Sequence, residues 1–269
     1  GGTIFSGGTD IGNIFVWRSN FASGATLVNN GNYNSSNFGI TAGARNTNSA
    51  SKYGIILNGN NNYIYSGSFF GTIINGYNNK IESVGGAPLY SFIGNGYRNT
   101  VSINSNYSTI LNGKTSIVQN SVFSSIINGL SHNISGGGRS VILNGFSNNI
   151  NNSLYSIAGG YLNTINGQNY ITILNGSNNS ATSVYSTILN GIGNKIFNNA
   201  DFSFIGSGAD NKIYSKYSNI FGGRGNTITG AYSTIIGGLN YSLTGSNMVL
   251  IPKLLLPGIS SSPGNFMLV

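Results

Sequence analysis

The 269-residue chain contains no cysteine and carries a net charge of +8, from 12 basic and four acidic residues. The lack of thiols excludes a disulfide framework and a thiolate metal site. Hydrophobic residues make up 39% of the chain, enough for a core, but charged residues only 6%, against a typical quarter. No apolar run approaches the ~20 residues of a membrane helix, so we expect no membrane insertion.

Residues 1–42 contain only loose versions of the pattern that follows. Gly7 to Ile11 and the apolar group Phe15-Val16-Trp17 indicate an irregular leading β segment with one or two strands. The chain starts with Gly1, and no charged and apolar leader follows it. We therefore interpret the sequence as a segment of a longer protein.

Residues 43–246 are an array of tandem repeats, which determine the fold. The phrase Tyr-Ser-Thr-Ile-Leu-Asn-Gly stands at residues 107–113 and again at 185–191. Alignment on its final glycine gives thirteen copies, mostly 15 to 17 residues apart. Gly, Asn and β-branched residues dominate the copies and disfavour helix. The sequence predicts an all-β parallel β-solenoid of about thirteen short coils.

Each copy has isoleucine three residues before its glycine, including Ile40 and Ile157. Most copies have Ile or Val again five residues after it. Because side chains alternate along a strand, both positions are predicted to point inward and to stack at ~4.8 Å between coils. The predicted structural core includes Ile56, Ile73, Ile110, Ile126, Ile142, Ile173, Ile188 and Ile235.

Asparagine stands three residues after the glycine in ten of the thirteen copies. Asn and Gly tolerate the positive φ of a tight corner, and stacked asparagines can form hydrogen-bonded ladders. The predicted corner ladder includes Asn62, Asn79, Asn99, Asn148, Asn163, Asn194, Asn211 and Asn226.

The residue two before the glycine is adjacent to the inward isoleucine, so it is predicted to face outward. It is nevertheless large and apolar in nine copies. An exposed apolar stripe of this length usually marks an interaction surface, and we expect self-association. The predicted subunit interface consists of Leu57, Ile74, Leu111, Ile127, Leu143, Leu174, Leu189, Phe221 and Ile236.

Residues 247–269 break the pattern with Pro252 and Pro257, and proline cannot donate to a strand ladder. We interpret this stretch as a neck or exit segment leading into a longer chain.

The repeat resembles the head repeat of trimeric autotransporter adhesins, a likeness carried by Ser-x-Ile-x-Gly/Asn-Gly at residues 233–238 and 108–113. Similar repeats occur in phage tail fibres, and residues 6–10 with Ile14 and Phe15 resemble a segment common in those proteins. The likeness covers roughly residues 40–245, although the present unit is longer and richer in Asn. It implies a left-handed parallel β-roll, three of which pack side by side as a homotrimer.

Residues with catalytic or metal-binding chemistry are few. Asp201 and Asp210 lie in successive segments that stacking could bring together, but we favour a structural role for both. The single His132 replaces the corner asparagine and has no cysteine or second histidine as a partner. We therefore expect no enzyme activity, no metal and no cofactor.

Tyrosine often precedes the first strand of a copy, and such rows can stack on sugars or pack between coils. We favour packing. The row includes Tyr90, Tyr107, Tyr155, Tyr185, Tyr217 and Tyr232. Basic residues are scattered singly, so we expect no nucleic-acid partner.

These features predict an extracellular structural protein, a phage tail-fibre segment that spaces and presents a host-receptor-binding tip. Its expected partners are further copies of itself and a host surface glycan or receptor. Two alternatives stay open: a bacterial surface trimeric adhesin head of the same architecture, and a polysaccharide-degrading β-helix enzyme.

Overall fold

A computed structural model describes residues 26–27, 32–34, 39–49, 51–65, 67–82, 90–252 and 266–268. The predictions that rest on residues 1–25 therefore lie outside the described residues. The chain divides into two compact units, residues 1–119 and 120–269. Each unit is a parallel β-solenoid, and the two together contain about thirteen turns. The described residues form strands and turns and include no helix, which confirms the predicted all-β solenoid.

Each turn contributes one short strand to each of two parallel sheets. In the first unit, one sheet contains β1 (Thr26–Leu27), β3 (Ile40–Thr41), β5 (Ile55–Ile56), β7 (Thr72–Ile73), β9 (Phe92–Tyr97) and β11 (Thr109–Lys114). Its second sheet contains β2 (Tyr33–Asn34), β4 (Thr47–Asn48), β6 (Tyr63–Ile64), β8 (Lys80–Ile81), β10 (Thr100–Val101) and β12 (Ile117–Gln119).

The second unit repeats this arrangement. One sheet contains β13 (Ser125–Leu130), β15 (Val141–Phe146), β17 (Ile157–Tyr161), β19 (Thr172–Ile173), β21 (Thr187–Ile188), β23 (Phe204–Ile205), β25 (Asn219–Ile220), β27 (Thr234–Ile235), β29 (Val249–Ile251) and β30 (Phe266–Leu268). The other contains β14 (Asn133–Ser135), β16 (Asn149–Asn151), β18 (Thr164–Asn166), β20 (Ser180–Ala181), β22 (Lys195–Ile196), β24 (Lys212–Ile213), β26 (Thr227–Ile228) and β28 (Ser242–Leu243).

The ladder extends past the repeat boundaries expected from the sequence. Strand β1 pairs in parallel with β3 before residue 43, and β29 pairs in parallel with β27 after residue 246. Strand β29 ends at Ile251, directly before Pro252, where the next backbone donor is missing. Strand β30 then pairs with β29 in the antiparallel direction.

Isoleucine fills the interior of both units. All eight of the isoleucines named above as the structural core are fully buried. The second sheet supplies a facing row that includes Ile64, Val101, Ile150 and Ile213, also fully buried. Burial of each such side chain contributes about 1.5–3 kcal/mol, which explains why strands of only two residues suffice.

The sequence predicts that the isoleucine three residues before each glycine points inward. This prediction is wrong for two of the thirteen isoleucines. Ile40 is 38% exposed, and its neighbour Thr41 is buried in its place. In β17, Ala158 rather than Ile157 pairs with the inward Ile142. The pairing shifts between Ile142 and Gly145, because this coil has one residue fewer between its strand and its corner.

The repeated glycine lies at a corner that only glycine fits. Gly191 has φ +112°, and a Cβ atom there would lie 2.2 Å from the carbonyl oxygen of Gly208 in the next coil. A side chain would therefore be strained by its φ and would collide with backbone.

Asparagine three residues after the glycine points into this corner and links neighbouring coils. The Asn194 Oδ1 accepts a hydrogen bond from the backbone N–H of Asn211 at 3.1 Å. Its Nδ2 donates to the carbonyl oxygen of Gly208 at 3.0 Å. The eight asparagines named above as the corner ladder are all fully buried, and the Oδ1 of each accepts a hydrogen bond from a backbone N–H group of the next coil. That N–H group has no strand partner at the corner.

We predict that Asn194→Ala destabilises the protein by about 1–3 kcal/mol, because it leaves the buried N–H group of Asn211 unpaired and removes one of the two hydrogen bonds to the Gly208 carbonyl oxygen. The control is Asn175→Ala, at an exposed position just before a corner glycine, which should change stability by less than about 0.5 kcal/mol. Urea unfolding of both variants measures the difference. Equal losses from the two changes would contradict a structural role for the inward amide.

Candidate functional site

The single histidine lies within the asparagine ladder. His132 is 1% exposed, and its Nδ1 accepts a hydrogen bond from the Asn148 backbone N–H at 3.1 Å. It thereby takes the acceptor role that an asparagine Oδ1 has in other coils. Desolvation by burial lowers the pKa of His132 below 6.5, although its backbone hydrogen bonds partly oppose this shift.

The lowered pKa makes stability depend on pH. Above about pH 6.5 the imidazole is neutral in both the folded and the unfolded chain. Below that pH the unfolded chain binds the proton more readily, so the folded state loses stability as the pH falls. We predict that His132→Asn reduces the loss of stability between pH 7 and pH 5, as measured by urea unfolding. A larger loss in the variant than in the unaltered protein would contradict the burial of a neutral imidazole.

The two aspartates considered as a catalytic pair have separate partners. Asp201 Oδ1 accepts a hydrogen bond from Ser183 Oγ at 2.5 Å. Asp210 lies 3.9 Å from the Arg224 guanidinium, and both of these side chains are exposed. Asp201 precedes strand β23 and Asp210 follows it, at different corners of the coil.

The tyrosine row is a ladder of rings stacked on one another. Tyr90 and Tyr107 stack with centroids 5.0 Å apart, and Tyr217 and Tyr232 with centroids 4.8 Å apart. Residues in this row have positive φ, for example 56° at Tyr217. A left-handed backbone costs roughly 1–2 kcal/mol per residue, and ring stacking offsets part of that cost.

One turn of this ladder carries arginine instead of an aromatic residue. The Arg139 guanidinium lies 5.7 Å from the Phe123 ring centre and 5.2 Å from the Tyr155 ring centre. Cation–π contact therefore maintains the stack where a ring is missing.

The apolar residues two before each glycine face outward along both units. Leu57, Leu111, Leu143 and Leu189 are between 39% and 46% exposed, and Ile74 is half-buried. The remaining members, Ile127, Leu174, Phe221 and Ile236, are also exposed. The structure therefore places all nine residues of the stripe at the surface of the single chain.

In β17 the missing residue interrupts this stripe. Gly159 lies between Leu143 and Leu174 and leaves a surface depression of about 550 Å³. The stacked rings of Phe146 and Tyr161, 5.0 Å apart, form another wall. No acid, histidine, lysine or arginine lines this depression.

A second outward cluster was not predicted from the sequence. Lys195 and Lys212 are direct neighbours in strands β22 and β24, although 17 residues separate them in the sequence. Two residues further along, Phe197 and Tyr214 stack with centroids 4.2 Å apart. The repeated phrases Asn-Lys-Ile-Phe at 194–197 and Asn-Lys-Ile-Tyr at 211–214 were the signal that could have revealed this cluster.

No group of three or more metal-ligating acids or histidines occurs among the described residues. Within the same residues, no helix has the length and apolar character needed to cross a membrane. The chain matches no protein-family model and no curated protein.

Proposed function

We propose that this chain is a structural segment of a phage tail fibre, extracellular on the virion, which spaces and presents a host-receptor-binding tip. The observation that carries the proposal is the outward apolar stripe, repeated in the same position from coil to coil. A fibre segment of this kind works by holding its shape over many turns, and the stacked isoleucine and asparagine rows support that role.

Further copies of the same chain are the partner that best fits the stripe. The apolar residues occur in nine of the thirteen coils, and in neighbouring coils they follow the ~4.8 Å spacing of stacked strands. A parallel copy lying alongside has the same spacing and so can match the stripe within each unit, whereas an unrelated globular surface has no such period. The proposal therefore includes a side-by-side homotrimer of left-handed coils.

Three exposed leucines test this assembly. We predict that Leu111→Lys, Leu143→Lys and Leu189→Lys together dissociate the oligomer, because the interface would then bury lysine charges without partners. The folded coils should persist, since each leucine is about 40% exposed in the single chain. Light scattering measures the mass, and circular dichroism checks the fold.

The matched control places the same three charges on the other sheet, as Ile117→Lys, Thr164→Lys and Ser242→Lys, none of which pairs directly with an existing lysine. These outward positions lie off the stripe, so the oligomer should remain. A monomeric mass for the unaltered protein would contradict the proposed assembly, and so would equal dissociation by both triple variants.

A further inference from the structure

The cluster of Lys195, Lys212, Phe197 and Tyr214 is a two-by-two array on the outer face of the second unit. The lysines pair in register through strands β22 and β24. Their inward neighbours Ile196 and Ile213 are buried, so the flanking residues on either side point outward. Lys195 and Tyr214 are exposed, and Lys212 and Phe197 are half-buried. All four side chains of the array therefore reach solvent.

The two ammonium groups have no acidic partner. Like charges on directly paired strands repel each other, yet neither lysine forms an ion pair within the described residues. The acids of this unit lie elsewhere, Asp201 with Ser183 and Asp210 with Arg224. An anion that bridges the two ammonium groups would relieve this repulsion.

The first unit shows the same position with its charge neutralised. There Lys80 occupies the lysine position, and Glu82 occupies the position that holds Phe197 and Tyr214 in the second unit. The Lys80 Nζ lies 3.6 Å from the Glu82 carboxylate. In the second unit, aromatic rings therefore occupy the position at which the first unit has an acid that pairs with its lysine.

Hydroxyl groups flank the array in the two adjoining coils. Ser180 pairs with Lys195 through β20, and Thr227 pairs with Lys212 through β26. Thr182 and Thr229 occupy the matching places beside the rings, and their hydroxyls donate to the carbonyl oxygens of Ile196 and Leu243. The hydroxyl oxygens of all four residues can still accept a hydrogen bond from an O–H group of a ligand.

We propose that this array binds a carboxylated sugar of an acidic polysaccharide. The carboxylate lies between the Lys195 and Lys212 ammonium groups, and the apolar C–H surface of the sugar ring rests against the outer edge of the stacked Phe197 and Tyr214 rings. Hydroxyl groups of the sugar contact the side chains of Ser180 and Thr227. The array lies on the second sheet, away from the apolar stripe, so it does not depend on the proposed homotrimer.

The geometry favours a sugar over a nucleic acid. Phe197 and Tyr214 lie almost parallel, with 6° between their planes, so no base can enter between them. Single-stranded nucleic acids require aromatic platforms together with basic residues that follow the backbone over several nucleotides. Here two lysines are flanked by uncharged serine and threonine.

The test is a calorimetric titration of the full chain with a tetramer of galacturonic acid at low salt. We expect Lys195→Gln with Lys212→Gln to weaken binding at least tenfold. The matched control, Lys80→Gln, removes a lysine that already has an acid partner, and it should leave the affinity within twofold. Thermal melting of each variant checks that the coils remain folded.

A second variant reproduces the lysine–glutamate pair of the first unit within the array of the second unit. Tyr214→Glu places a carboxylate beside Lys212, as Glu82 lies beside Lys80, and should also weaken binding at least tenfold. Salt should weaken the binding, because exposed charges carry it.

Four results would overturn the proposal. The first three are equal binding of the neutral galactose tetramer, equal losses from Lys80→Gln and the double lysine variant, and tighter binding of a single-stranded oligonucleotide than of the uronate. Binding of acetate as tight as that of the tetramer would also overturn it, because the site would then recognise charge and not the sugar.

Discussion

The inward asparagine amide is the interaction on which each coil depends. Strands of two residues offer few ladder hydrogen bonds, and the corners between them leave backbone groups without strand partners. The amide accepts from the next coil's N–H group and donates to its glycine carbonyl oxygen, as Asn194 does with Asn211 and Gly208. This contact fixes each corner directly over the previous one. In-register isoleucines, stacked rings and the outward rows follow from that alignment.

The same alignment divides each coil into inward positions, which stabilise the fold, and outward positions, which are available for binding. Inward positions hold isoleucine and asparagine. At the tyrosine corner, ring stacking offsets part of the free-energy cost of the left-handed backbone. Outward positions carry no such requirement, so they can vary between coils. The apolar stripe, the depression beside Gly159 and the lysine array all occur at outward positions. Coils of one plan can therefore present different chemistry at different heights.

Period and composition were sufficient to predict the solenoid, the inward isoleucines and the asparagine corner, because each coil repeats the same physical requirement. Two features could not be predicted by counting from the glycine. At Ile40 and Ile157 the coil is one residue shorter before its corner, and this reverses which side chain points inward. The array of Lys195 and Lys212 was hidden because residues 17 positions apart become neighbours only when the register is known.

The most direct test of this register uses pairs of spin labels, since the chain has no cysteine of its own. Labels at Thr227→Cys and Ser242→Cys lie in register on adjacent strands, about 5 Å apart along the backbone stack. Labels at Thr227→Cys and Thr234→Cys are closer in sequence but project from different sheets. We predict strong dipolar broadening of the electron paramagnetic resonance spectrum for the first pair and a much weaker effect for the second. Stronger broadening for the second pair would contradict the coil register.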